Sequence, residues 1–181
     1  MHKTECDERK VFAMIENNNH LVGIISDTHD NRKAIAKAVT FFNDSKCSLV
    51  VHAGDYIAPF TAKDFEKLTC PLIGVFGNND GEKKGLIAQF SSFGELHEGP
   101  YEFDYSGKRF ILMHEPDSLD YYRKQDSSDI IIYGHTHKVD IHEGKPLIIN
   151  PGECCAWLTD HATVVLLDLS TFHIEVVELN L

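Results

Sequence analysis

Residues 21–29 read LVGIISDTH, and this stretch narrows the possible folds more than any other. Leu21, Val22, Gly23, Ile24 and Ile25 run without polar interruption to Ser26. A short unbroken apolar run fits a strand covered on both faces, as in a parallel or mixed sheet flanked by helices. Asp27 and His29 follow, one residue apart. In extended backbone, residues i and i+2 point to the same side. A carboxylate and an imidazole are therefore expected to face one point at the carboxyl end of a buried strand, where open α/β sheets keep their ligands. An oxygen and a nitrogen donor there make half of a transition-metal shell. The rest of the chain is expected to supply the other half, and a second metal beside the first.

The same punctuation recurs downstream. Residues 32–42 place Ile35, Ala38, Val39 and Phe42 at helical spacing, with Asp30 or Asn31 positioned to cap the start. Residues 48–52 (SLVVH) read as a second buried strand ending in Ala53-Gly54-Asp55, and residues 61–68 as a short helix. Residues 70–76 predict a third strand, ending in Gly77-Asn78-Asn79-Asp80, and residues 81–90 a helix. This βαβαβ alternation implies a parallel core with right-handed crossovers. The second half turns to hairpins: residues 101–105 and 110–114 flank Ser106-Gly107-Lys108. Asp117 can cap a helix through Leu119, Tyr122 and Lys124, and a strand over 130–133 runs into Gly134-His135-Thr136-His137. Strands over 139–142, 147–150, 161–167 and 172–179 complete the pattern. No Ser- or Pro-rich linker divides the chain, so residues 21–181 are expected to form one domain with two packed sheets and outer helices. Residues 1–20 read as an extension in which Thr4, Asp7 and Glu8 can cap a short helix through Val11, Phe12, Met14 and Ile15.

Composition serves mainly to exclude. The 181 residues suffice for a sizeable core, and the net charge of -11 disfavours nonspecific binding to nucleic acid duplexes or anionic membranes. A phosphate substrate stays open, because bound metal ions reverse the local field. No apolar run approaches the roughly 20 residues of a membrane helix, and the amino terminus lacks a secretory pattern. Cysteines number five, with no CxxC spacing, which argues against a disulfide framework and for a reducing, cytoplasmic setting. The adjacent Cys154 and Cys155 read as small, half-buried residues rather than a redox pair.

Histidine is the informative count, at 11. Ligand-type residues follow successive apolar runs: Asp27 and His29; Asp55; Asn78; His114; His135 and His137. Gly54 and Gly134 stand directly before two of these groups. Glycine lets backbone approach closely or take positive φ. One zinc ion uses only three or four ligands. Two ions sharing Asp55, whose carboxylate has two oxygens, would use the whole set. Paired ions about 3.5–4 Å apart hold a hydroxide between them and clamp both oxygens of an in-line displacement. Phosphoryl transfer gains most from such a pair. Taken singly, DTH fits a structural hydrogen-bonded pair, GD and GNND fit turns, and GHTH fits a core pair. The specificity lies in the ordered set, each member after a buried strand. His52, His97, His142, His161 and His173 lack that placement and read as core or surface residues.

The combination SDTHD (residues 26–30), HAGD (52–55), GNND (77–80), MH (113–114), GHTH (134–137) and INPG (149–152) resembles the calcineurin-like metallophosphoesterases. The likeness is to the small archaeal and bacterial phosphodiesterases of the YfcE type, and it covers nearly everything after the extension. It implies a four-layer α/β/β/α sandwich of two mixed sheets flanked by helices. It also implies one ion on Asp27, His29, Asp55 and His137, and a second on Asp55, Asn78, His114 and His135. Manganese is the usual preference in such enzymes, with nickel, iron, cobalt or zinc able to serve. The implied reaction is hydrolysis of a small phosphate ester, with Asp55, Asn78 and His114 as catalytic residues. The contrasting expectation is a non-catalytic scaffold on the same fold, as in the retromer subunit, and exposed sheet edges leave room for a homodimer. Three departures stand out. Asn79 replaces a histidine that assists the leaving group in many members, which predicts a preference for diesters or activated esters. Glu115 and Pro116 follow His114, where reshaping of the site's mouth is expected. Glu153 replaces a common serine after INPG, with altered packing or a negative charge at the rim expected.

Overall fold

The computed structural model describes residues 20–125 and 127–181. The helix expected within residues 1–20 therefore falls outside the described residues.

Each apolar run becomes a strand. β1 (Leu21–Ile25), β2 (Leu49–His52) and β3 (Leu72–Val75) pair in parallel. α1 (Arg32–Asp44), α2 (Ala62–Phe65) and α3 (Lys83–Phe90) form in the intervening and following segments. The α1 start is capped by Asn31, whose side chain accepts from the Ala34 N–H. α2 is shorter than its sequence pattern: a 3₁₀ turn over Pro59–Thr61 takes its first residue, and the helix ends at Phe65. β4 (Gly94–His97) extends the sheet in parallel beside β3. It has no counterpart in the sequence reading: of its four residues only Leu96 is buried, so it carries almost no apolar pattern.

The hairpin half gives β5 (Tyr101–Tyr105), β6 (Lys108–Leu112), β7 (Ile130–Ile132), β8 (Val139–His142) and β9 (Leu147–Pro151). α4 (Leu119–Gln125) intervenes between β6 and β7. β10 (Thr163–Asp168) and β11 (His173–Glu178) return to the first sheet, β10 pairing antiparallel with β1. The sheet orders are β11-β10-β1-β2-β3-β4 and β5-β6-β7-β9-β8, both mixed.

The two sheets pack face to face through Val22, Ile24, Val51 and Val75 on one side and Phe110, Leu112, Ile130 and Ile149 on the other. The opposite face of the first sheet is covered by α1, α2 and α3 through Ile35, Phe42, Phe65 and Phe90. The opposite face of the second is covered by Leu119 and Tyr122 of α4. These are the four expected layers, the last of them a single short helix. Gly23 lets α1 pack closely on β1: a Cβ there would lie 2.6 Å from the buried ring of Phe42. Among the described residues no helix is long and apolar enough to cross a membrane.

Candidate metal centre

Strands β1, β2, β3, β6 and β7 all deliver ligand-type side chains from their carboxyl ends. The first sheet supplies Asp27, His29, Asp55 and Asn78; the second supplies His114, His135 and His137. All seven meet in one region. Asp27 Oδ1 lies 3.8 Å from His29 Nε2 and 3.4 Å from His137 Nε2. Asn78 Oδ1 lies 2.9 Å from His114 Nε2 and 3.0 Å from His135 Nδ1. Between these groups stands Asp55, whose Oδ2 is 3.3 Å from His29 Nε2 and 3.5 Å from His114 Nε2.

The route by which these side chains converge differs from the alternation expected at the end of β1. Asp27 and His29 are not in extended backbone: their φ values are 51° and 38°. Asp55 (61°), His135 (66°) and His137 (60°) are left-handed as well. Backbone bonding imposes the turn. Asp27 N–H donates to Gly54 O at 3.0 Å, and the N–H groups of Thr28 and His29 both donate to Asp55 O at 3.1 Å. Aspartate and histidine are among the few side chains that enter this region with any frequency. Each such residue still costs on the order of 1–3 kcal/mol, a strain typical of functional sites.

Close approach explains both glycines that precede ligand groups. Gly54 has φ 101°, and a Cβ on it would sit 2.7 Å from His114 Nδ1. A Cβ on Gly134 would sit 2.1 Å from Ser26 Oγ and 3.0 Å from Asp27 Oδ2. Gly134→Ala is therefore expected to lower the unfolding free energy by about 1–3 kcal/mol through overpacking. The shift would be read from urea denaturation, and an unchanged midpoint would refute the close contact.

The electrostatics suit a cation. Asp27, Asp55 and His114 are almost wholly buried. The Asp27 and Asp55 carboxylates raise the His29 pKa to about 9. Burial opposes charge on both His114 and Asp55, but their mutual attraction outweighs it. The His114 pKa is raised, and that of Asp55 is held far below the usual carboxylate range, with help from His29 and Asn79. Two buried atoms, Asp27 Oδ1 and His29 Nε2, make no hydrogen bond. Such orphaned groups call for an explanation, and a bound cation gives one. Asp27, His29 and His137 offer atoms within 4.8 Å of one another, as do Asp27, Asp55 and His114. Mixed nitrogen and oxygen donors of this kind fit manganese, iron, nickel or zinc.

Several supporting residues hold the donors in place. Asp80, almost wholly buried, accepts from the N–H groups of Asp55 (3.0 Å), Ile57 (2.7 Å) and Gly77 (2.8 Å). Burial raises its pKa against those bonds. Asn79 turns inward, its Nδ2 donating to Asp55 Oδ2 at 2.7 Å. Asn150, from INPG, donates to Gly134 O and Thr136 Oγ1 and so fixes the GHTH turn. His52 is a core residue, as expected. Gly54 N–H donates to its Nδ1, and its ring stacks on Tyr56 at 3.8 Å between centroids. Burial, with the nearby His114, pushes its pKa well down. His142, His161 and His173 are exposed.

Glu153 puts no charge at the rim, one of the two outcomes expected of it. It is fully buried, and its two oxygens serve five donors. Oε2 accepts from His137 Nδ1 at 2.7 Å and from Cys155 Sγ at 3.2 Å. Oε1 accepts from Leu158 N, Thr159 N and Thr159 Oγ1. Burial works to raise its pKa, yet the bonds from His137 and Thr159 hold it at about 2. Nothing in its sequence neighbourhood signals this role, because its donors are brought to it by the fold. Cys154 and Cys155 are more deeply buried than expected, and both are free thiols. Burial lifts the Cys155 pKa to about 12, which leaves it an inert thiol. Glu115 and Asp117 help line a cleft of about 330 Å³ that opens beside Asn78 and His114.

Fold and donors together define an α/β/β/α sandwich that gathers a nitrogen–oxygen ligand cluster at its strand ends. The calcineurin-like phosphoesterase superfamily domain matches residues 21–171. The chain belongs to that superfamily. It is 37% identical over 152 residues to a phosphodiesterase of Methanocaldococcus jannaschii, covering 81% of this chain and 92% of the relative. The solved structure of an archaeal phosphodiesterase superposes with a TM-score of 0.84 at 34% identity, covering 88% of this chain and 99% of that one. Zinc-complexed Vps29 of Entamoeba histolytica shares the fold at 20% identity and a TM-score of 0.61, covering 88% and 99% of the two chains.

Proposed function

We propose that this chain is a phosphodiesterase that works with two divalent cations, manganese first among them. Asp27, His29, Asp55 and His137 would hold one cation. Asp55, Asn78, His114 and His135 would hold the other. The observation that carries the reading is the single oxygen, Asp55 Oδ2, standing 3.3 Å from His29 and 3.5 Å from His114, between the two donor groups. When bound, such a pair neutralises phosphoryl oxygens and acidifies the water that attacks phosphorus in line.

The chain's own contribution is orientation. His114 Nδ1 faces Ala53 O at 2.8 Å, and His137 Nδ1 faces Glu153 at 2.7 Å. Each contact fixes the proton on Nδ1 and turns the Nε2 lone pair to the centre. The exposed amide of Asn78 would bind a phosphoryl oxygen. Asn79 has no ionisable proton, and its amide is committed to Asp55. It does not protonate a leaving oxygen, which favours diesters and activated esters over unactivated monoesters. The phosphodiesterase name of the 37% identical relative agrees with this reading. A non-catalytic scaffold does not need a complete donor set, and here all seven donors are present and converged.

The test is turnover of bis-p-nitrophenyl phosphate by protein stripped with EDTA and reloaded. Activity is expected to vanish on stripping and return with Mn2+. Absence of turnover with Mn2+, Ni2+, Fe2+, Co2+ and Zn2+, at an unchanged circular dichroism spectrum, would overturn the assignment.

A further inference from the structure

We infer that Trp157 forms a binding subsite for a flat aromatic substituent of the substrate, beside the donor cluster. The inference rests on the phosphodiesterase reading above and extends it to the group that the substrate carries.

Trp157 is 60% exposed and its neighbour Leu158 is 73% exposed. Exposed apolar residues taken singly are normal. Trp157 is distinguished by its place and by the support of its backbone. The Trp157 ring centroid is 6.0 Å from that of His29, with an interplanar angle of 41°, and His29 belongs to the donor cluster. The backbone that bears Trp157 is tied down on both sides. On the amino-terminal side, Cys154 N–H donates to Ser26 O and Cys155 N–H to Asp27 O, at 3.0 and 3.1 Å. Asn31 Nδ2 donates to Cys155 O at 2.8 Å. On the carboxyl-terminal side, Leu158 and Thr159 hang from the buried carboxylate of Glu153. Backbone held in this way loses little further freedom when a ring stacks on the indole it bears, so more of the contact is retained as affinity.

The two flanks of the centre differ in chemistry. Past Asn78 and His114 lies the cleft with Lys83, Glu98, Glu115 and Asp117 in its walls, which is ionic. Past His29 lies the exposed indole of Trp157. A phosphodiester carries two alcohol groups on one phosphorus, and the flank beyond His29 suits the one bearing a planar ring. The shared chemistry is an aromatic face, which either an aryl ester or a nucleobase provides.

Three diesters separate the possibilities: bis-p-nitrophenyl phosphate, a dinucleoside monophosphate, and a glycerophosphodiester without a ring. Trp157→Ala is expected to lower the kcat/KM preference for ring-bearing over ring-free diesters roughly tenfold, through KM. Trp157→Phe is expected to restore most of that preference. An effect confined to the dinucleoside substrate assigns the subsite to a nucleobase, and an effect on both ring-bearing substrates assigns it to aromatic groups in general. The second readout needs no turnover. Trp157 is the chain's single tryptophan, so in the presence of EDTA its fluorescence should change saturably with ring-bearing diesters and not with the glycerophosphodiester. A preference unchanged in Trp157→Ala, or a KM rise equal for all three, overturns the subsite. Loss of all wild-type turnover with intact fluorescence binding would instead overturn the phosphodiesterase reading alone.

Discussion

Asp55→Asn is expected to cut kcat/KM for a diester by on the order of 10³-fold or more, the equivalent of about 4 kcal/mol of transition-state stabilisation. The substitution hardly changes shape, so the loss is electrostatic. Asp55 is 1% exposed, and its Oδ2 faces both His29 and His114. The neutral amide removes the charge that two cations would share. It also turns an N–H group toward Asn79, whose own Nδ2 and backbone N–H both point at this carboxylate. That donor-to-donor clash adds a stability loss of about 1–3 kcal/mol. Metal content by mass spectrometry and the urea midpoint separate the two effects. Full metal content with near-normal turnover would remove Asp55 from the centre of the mechanism.

The second large effect is expected at Glu153, and there the choice of substitution matters. Glu153→Ala leaves Leu158 N, Thr159 N and His137 Nδ1 without their acceptor, and the part-buried donors left unsatisfied are expected to cost about 1–3 kcal/mol together. Glu153→Gln is the sharper experiment. Its amide oxygen can keep the bonds to Leu158 and Thr159 while its NH2 faces His137 Nδ1. The imidazole must then move its proton to Nε2, the atom that faces Asp27 at 3.4 Å. A protonated Nε2 cannot ligate. The expected result is a fold of nearly normal stability with metal affinity lowered about 10- to 100-fold, the usual penalty for losing a partner that orients a metal ligand. Calorimetric titration with Mn2+ reads it. Affinity unchanged in Glu153→Gln would show that His137 does not depend on this carboxylate.

Glu153 and Asn79 also show that a departure from a family pattern need not sit where the pattern suggests. From sequence, Asn79 read as the loss of a leaving-group histidine, and Glu153 as altered packing or a charge at the rim. Asn79 instead braces Asp55, and Glu153 lies fully buried between His137 and the segment bearing Trp157. Sharing a superfamily fold with both a phosphodiesterase and Vps29 leaves the activity to be argued from the site itself.

Residue order alone determined every strand but β4, the outer helices and the identity of the ligand-type side chains. Those properties are local: an apolar run such as residues 21–25 or 130–132 makes a buried strand wherever it is placed, and Asp, His and Asn carry their donor atoms with them. Only the tertiary structure decided how those atoms meet. The left-handed turns at Asp27 and His29 arise from bonds to Gly54 and Asp55. The Asp27 carboxylate is met by the His135 N–H, 108 residues away in the chain. Edge strand β4 forms because β3 offers it a partner, and Asp80, Glu153 and Trp157 take their positions from groups that folding brings to them. Local pattern cannot encode such contacts, because each is a relation between segments that become neighbours only when the two sheets have packed.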